Sequence, residues 1–183
     1  GAAHVLVLVD GVQANSSTTG AFDFGHLTTD NIDRIEILRG GASALYGSDA
    51  IGGVVAYQSA SACEGAPISA YAEGGSFATF NAAAHAGLCG DGHELALGAT
   101  LVSTDGSPNA RRQSFGGGTR DIGRDSVTFS AKGSADLAPD LVLRAVGRNV
   151  STEGDFNHQD FNPASPTLGL VIDSPGVRFT NDA

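Results

Sequence analysis

The sequence predicts a mainly β fold in which an α+β subdomain over residues 1–60 is followed, over residues 61–183, by the antiparallel strands of a transmembrane β-barrel. Three features carry this expectation. Segments beyond residue 67 alternate apolar and polar residues with a period of two, the signature of strands with two unlike faces. The connections between them alternate between short and long. Before residue 60, strand-like runs are instead separated by glycine pairs around a short helix-compatible stretch.

Residues 5–9, VLVLV, are β-branched or leucine throughout and suit a strand buried on both faces. Asp10-Gly11 behind them is a hairpin turn pair. From Gln13 to His26 the chain turns to Asn, Ser, Thr and Gly with two phenylalanines, the composition of an exposed loop. Ile32 to Leu38 predicts a further strand, Gly40-Gly41 a turn, Ala42 to Tyr46 a helical turn or two, and Val54 to Gln58 another strand after Gly52-Gly53. Ser, Ala, Gly and Pro dominate from Ser59 to Pro67, which sets the domain boundary near residue 60.

The first alternating segment runs from Ile68 to Gly74, with Ile68, Ala70 and Ala72 on one face. The next sets Phe80, Ala82, Ala84, Ala86 and Leu88 against Thr79, Asn81 and His85. Leu95, Leu97, Ala99 and Leu101 oppose Glu94 and Thr100; Val127, Phe129 and Ala131 oppose Ser126, Thr128, Ser130 and Lys132; Leu141, Leu143 and Ala145 oppose Arg144 and Arg148. A sixth strand is expected from about Val177. Cys89 to Gly92 and Asp136 to Asp140 are short connections, whereas Thr104 to Arg124 and Thr152 to Pro175 are long. A membrane barrel keeps its turns short on the periplasmic side and long outside. A soluble sandwich would more often keep both ends short and bury larger side chains than these alanines.

Composition narrows the function classes. A net charge of -10 with 10 Lys and Arg lacks the basic clusters that phosphate backbones require, so nucleic acid is not an expected partner. No apolar run reaches the length of a membrane-spanning helix, but a mean hydropathy near zero is what alternating barrel strands produce. With no methionine and no charged segment or cleavable signal before VLVLV, the chain is expected to begin within a longer protein.

The string IDRIEILRGGASALYGSDAIGGVV resembles the hallmark of TonB-dependent outer-membrane receptor plugs, through Leu38-Arg39-Gly40, Ser43, Leu45-Tyr46-Gly47, Ala50 and Gly52-Gly53-Val54. VLVLVDGV resembles the family's plug strand and turn at the expected spacing. The sequence departs from the family at Gly41, where proline is common, and at Ala56-Tyr57, where an Asn-Ile pair is common. The cobalamin transporter branch is the nearest likeness, through LYGSDAIGGVV and the Pro-Ile-Ser-Ala strand start. The resemblance implies residues 1–60 as the C-terminal half of a plug facing the periplasm and 61–183 as the first barrel strands. It implies import across the bacterial outer membrane of a scarce ligand (cobalamin, ferric siderophore or haem), with the TonB protein as energy-coupling partner and outer-membrane lipid around the strands. The TonB box that would receive the coupling lies outside this chain. No cofactor is required. A secreted or surface-displayed β-rich adhesion module is the alternative, although it predicts repeats of fixed length that are absent. An enzyme ranks third: Gly41-Ala42-Ser43-Ala44-Leu45 lacks the second glycine of a nucleophile elbow, and no catalytic residues are expected.

Five sets of residues are candidates. By resemblance, the loop from Gln13 to His26 faces the ligand cavity, offering Asn15, Ser16, Ser17, Thr18 and Phe22, with an exposed loop of no ligand role as the plainer reading. Glu36 and Arg39, charged in a segment fit for burial, would form plug-to-barrel ion pairs by resemblance, or a cross-strand pair within the plug. Glu153, Asp155, Asp160 and Asp173 place four carboxylates in one long extracellular loop, a set that suits calcium or a solvated acidic loop. His158 raises zinc but has no companions at ligand spacing. If the hairpin around Gly75 pairs Ile68 with Ala84 and Ala72 with Phe80, Cys63 falls opposite Cys89 at the periplasmic rim. That compartment is oxidising, so the pair is a candidate disulfide closing a loop of roughly 25 residues, worth about 3 kcal/mol in the chain-entropy model.

Overall fold

The computed structural model describes all residues except 1–3, 23, 25, 26, 30, 65, 109–119, 167, 173, 175 and 183. Among the described residues, twelve strands and one α-helical turn are assigned: β1 Val5–Val9, β2 Val12–Gln13, β3 Ile32–Arg39, α1 Ser43–Tyr46, β4 Gly53–Ser59, β5 Ile68–Gly74, β6 Phe80–Gly90, β7 His93–Thr104, β8 Arg124–Ala138, β9 Leu141–Asp155, β10 His158–Gln159, β11 Val171–Ile172 and β12 Arg178–Asp182. A 3-10 turn, Ser48–Ala50, follows α1.

The N-terminal sheet has the order β2-β1-β4-β3. Asp10 and Gly11 both take positive φ, at 49° and 84°, so the β1–β2 turn has the left-handed pair that an Asp-Gly hairpin supplies. β1 runs parallel to β4 and β3 antiparallel to it, with Val7 opposite Val55 and Ile37 also opposite Val55. As the central pair, β1 and β4 carry the burial: Val7 is fully enclosed, and Leu6 and Val54 are nearly so. Ala42 and Ala50, from the two ends of the α1 and 3-10 segment, close over Leu6 and Val54. Small side chains are needed there because the segment is tied back on itself by the Ala42 amide donating to the Ala50 carbonyl at 2.9 Å.

The second sheet has six strands in the order β12-β9-β8-β7-β6-β5, each beside its neighbour in sequence apart from the excursion between β9 and β12. The long connection from 156 to 177 holds the small β10–β11 hairpin, which no alternating pattern in the sequence predicts. Faces follow the alternation. Leu88 is 68% exposed, and Leu95, Leu97, Leu101, Phe129 and Leu143 are exposed too, while His85, Thr100, Ser126, Thr128 and Thr152 on the opposite parity are buried. Ser126 Oγ and Thr152 Oγ1 meet at 2.9 Å on that buried polar face.

The β5–β6 hairpin differs from expectation by two positions. Gly75 donates to the Thr79 carbonyl and Gly87 to the Pro67 carbonyl, which pairs 75 with 79 and 67 with 87. Phe77 and Ala78 both take positive φ, so the turn is tighter than a simple glycine loop centred on Gly75 and Ser76. A displacement of two keeps every side chain on its expected face, because the strand period is two.

By contacts the chain divides into two compact units. One comprises residues 1–69 with 84–98 and 130–148: the N-terminal sheet together with the strand ends joined by the short turns at 91–92 and 139–140. The other comprises 70–83, 99–129 and 149–183, the strand ends that carry the hairpin turn at 75–79 and the long connections.

Candidate functional site

Asn15, expected at the ligand cavity, is held instead as part of the sheet. Its Oδ1 accepts from the Val7 amide at 2.7 Å, and its Nδ2 donates to the carbonyls of Val5 and Gly20, each at 2.9 Å. A carboxamide presents the same donor and acceptor as a peptide unit, so Asn15 continues the β1 ladder where the two-residue β2 stops. Ser16 is also locally committed: its Oγ accepts from the Thr18 and Thr19 amides at 3.3 Å. Ser17 and Thr18 are exposed at the tip of this turn. Phe22 packs edge-on against Phe24, with centroids 5.1 Å apart. His26, at the end of the predicted loop, lies outside the described residues.

Glu36 pairs along its own strand with Arg34 at 3.0 Å, and both side chains are more than half exposed. Arg34 also donates to Gln58 Oε1 on β4 at 2.8 Å. Arg39 is exposed at the end of β3.

Asp10 makes the connection between the N-terminal sheet and the second sheet that was expected at Glu36 and Arg39. Its carboxylate accepts from the Ser59 amide at 2.9 Å and the Ser59 hydroxyl at 2.7 Å, and Lys132 Nζ on β8 stands 3.6 Å away. Lys132 also donates to the Ser59 carbonyl at 2.9 Å. A cavity of about 30 Å³ adjoins this cluster, lined among others by Asn31, Tyr57, His85 and Arg148. Burial raises the Tyr57 phenol above its ordinary value near 10. The signal in the sequence is present but ambiguous: Asp-Gly reads first as a turn, and Lys132 as one more polar position on the inner face.

Cys63 and Cys89 form a disulfide with Cα atoms 5.1 Å apart. Glu153 and Asp155, expected in a long loop, stand instead on β9, paired with β12: Glu153 lies 3.9 Å from Arg178, and Asp155 lies 3.5 Å from Arg178 and 3.3 Å from Arg120. Asp160 is buried, its Oδ1 accepting from the Asn162 amide at 2.9 Å. Asp173 lies outside the described residues, as does the side chain of His158. The structure therefore places Glu153 and Asp155 together, against arginines, with Asp160 beyond the end of β9. Among the described residues no group of three or more His, Cys, Asp or Glu side chains is arranged to hold a metal ion.

Residues 1–54 match the family model described as the TonB-dependent Receptor Plug Domain. By this match residues 1–54 belong to the plug-domain family. Over 52 residues it is 52% identical to the vitamin B12 transporter BtuB of Photobacterium profundum and 54% identical to that of Vibrio vulnificus. Those alignments take in 28% of this chain and 9% and 8% of the relatives, so the chain spans only a small part of their length. In fold, the chain is similar over 93% of its length to the siderophore receptor PirA from Acinetobacter baumannii, with a TM-score of 0.63, 19% identity and 28% of that chain covered. The pyoverdine outer membrane receptor FpvA from Pseudomonas aeruginosa PAO1 is similar over 90%, with a TM-score of 0.59, 14% identity and 24% of that chain covered. This likeness extends past residue 54, so the second sheet has the fold of these receptors' barrel strands. The plug match covers most of the N-terminal sheet, and β5–β9 with β12 lie in the part that is similar in fold alone.

Proposed function

We propose that this receptor imports a scarce ligand across the outer membrane, with energy passed to the plug by TonB, and that cobalamin is the first ligand to test. The observation that carries the reading is the joining, in one chain, of a plug sequence to strands with an exposed apolar face and a buried polar one. Cobalamin comes first because the plug is half identical to those of vitamin B12 transporters. Ferric siderophores and haem stay in the test because the fold is equally that of siderophore receptors. Ser17, Thr18 and Phe22 are the plug residues we assign to ligand contact; the first two are exposed at a turn whose backbone is held by Ser16. An adhesion module has no use for a plug and is not favoured.

The test is to express the full-length reading frame in an outer-membrane-competent host lacking its own receptors. Heat-modifiable migration together with TonB-dependent uptake of labelled cobalamin is the expected result. Uptake of haem or a ferric siderophore instead would keep the importer and change its cargo. A soluble product with no heat-modifiable form would overturn the reading.

A further inference from the structure

The crossing from plug to first wall strand, Ser61–Cys63, is held to the wall in three independent ways. Cys63 is bonded to Cys89 at the end of β6. Glu94, at the start of β7, accepts from the Ser61 hydroxyl and from the Ala62 amide, each at 2.7 Å, and Ser61 Oγ in turn accepts from the Cys63 amide at 3.1 Å. Gly87 on β6 supplies the seat: a Cβ there would stand 2.8 Å from Ala62 Cα and 2.9 Å from its Cβ, closer than such atoms approach. Ala62 is buried against that glycine. Covalent bond, charge-assisted hydrogen bonds and close packing thus act on three consecutive residues, from two different strands.

The plug before Ala60 is held to the wall differently. Lys132 reaches Asp10 at 3.6 Å and the Ser59 carbonyl at 2.9 Å, and Asn31 Nδ2 donates to the Ala84 carbonyl at 3.4 Å. These are side-chain contacts that water can replace.

We propose that Ser61–Cys63 is a fixed anchor on β6 and β7, so that the plug rearranges by pivoting at Ala60 and its C-terminal end never leaves the wall. The proposal rests on the reading of this chain as plug and wall. It keeps the last plug residues on the barrel strand during that movement, because the disulfide ties Cys63 to Cys89, 26 positions away in sequence.

Amide hydrogen exchange of the full-length receptor in detergent micelles, stepped through urea, tests it. In the unmodified protein the amides of β1 and β4 should open at lower urea than those of Ala62, Cys63 and Gly87. The double variant Cys63→Ser with Cys89→Ser should bring the two openings together and speed exchange at Ala62 at least tenfold. Glu94→Gln, which keeps the disulfide, should speed Ala62 several-fold. Coincident opening in the unmodified protein, or unchanged Ala62 exchange in both variants, would overturn the anchor. Absence of heat-modifiable migration in the same preparation would instead strike at the receptor reading, so the two failures are distinguishable.

Discussion

Single side chains decide how the plug is fastened. Asn15 makes three hydrogen bonds, one of them to an amide of the enclosed Val7. Asn15→Ala should lower plug stability by roughly 2 kcal/mol, since it leaves strand groups without partners. Urea-dependent amide exchange at Val7 would register this; if ligand affinity fell with exchange unchanged, Asn15 would be a ligand contact and not a strut. Asp10 accepts two hydrogen bonds from Ser59, and its charge faces Lys132. Asp10→Ala should cost about 2 kcal/mol through the lost hydrogen bonds, and a double-mutant cycle with Lys132→Ala should show a favourable coupling between the two charges. Both residues are in plain view in the sequence. Their roles are not, because an Asn or Asp beside a turn reads the same whether it binds a ligand, a strand edge or a lysine far along the chain.

At the scale of elements, the β3–β4 contact depends on a backbone conformation. Gly53 has φ of 139°, and a Cβ on it would meet the Leu38 carbonyl oxygen at 2.5 Å. Gly53→Ala should therefore destabilise the plug by about 1–3 kcal/mol, read as a lowered urea midpoint, while Gly147→Ala, with nothing within 4 Å, should leave it nearly unchanged. β4 also carries a pH dependence. Burial raises the Tyr57 phenol, so the folded plug favours the neutral form. That contribution is fully present below the ordinary value near 10 and is lost as pH rises through the higher folded value. Tyr57→Phe should flatten the alkaline fall of plug stability, measured by amide-exchange or spectroscopic melts between pH 9 and about 11. The strands of both sheets are legible in place and order, since each is written as a period of two or a β-branched run, although β9 runs to Asp155, four residues into the loop expected from Thr152. The β10–β11 hairpin is not, because its strands have two residues each and no face to pattern.

For the whole molecule, the proposed receptor would turn the exposed apolar face to lipid. Phe129 on β8, 58% exposed, is the residue to probe. Phe129→Arg should cost roughly 2–4 kcal/mol if it lies at the bilayer midplane. The fraction of full-length receptor that migrates in the heat-modifiable form should drop, and Phe129→Leu should restore it. A soluble sheet would respond in the opposite sense, gaining solubility from the arginine.

The sequence by itself determined which segments are strands, which way the faces of β6 to β8 point, and, through LRGGASALYGSDAIGGV, the plug likeness of residues 1–54. These are local properties: a period, a turn pair or a gapped string is complete within a few tens of residues. Only the tertiary structure decided which charges face each other across the plug and wall, that Asp10 and Lys132 and not Glu36 and Arg39 meet among the described residues, and that Asn15 is spent on β1. The Asp10–Lys132 pairing joins residues more than a hundred positions apart, and chain spacing carries no record of which inward polar side chain a given turn will reach once both sheets have formed.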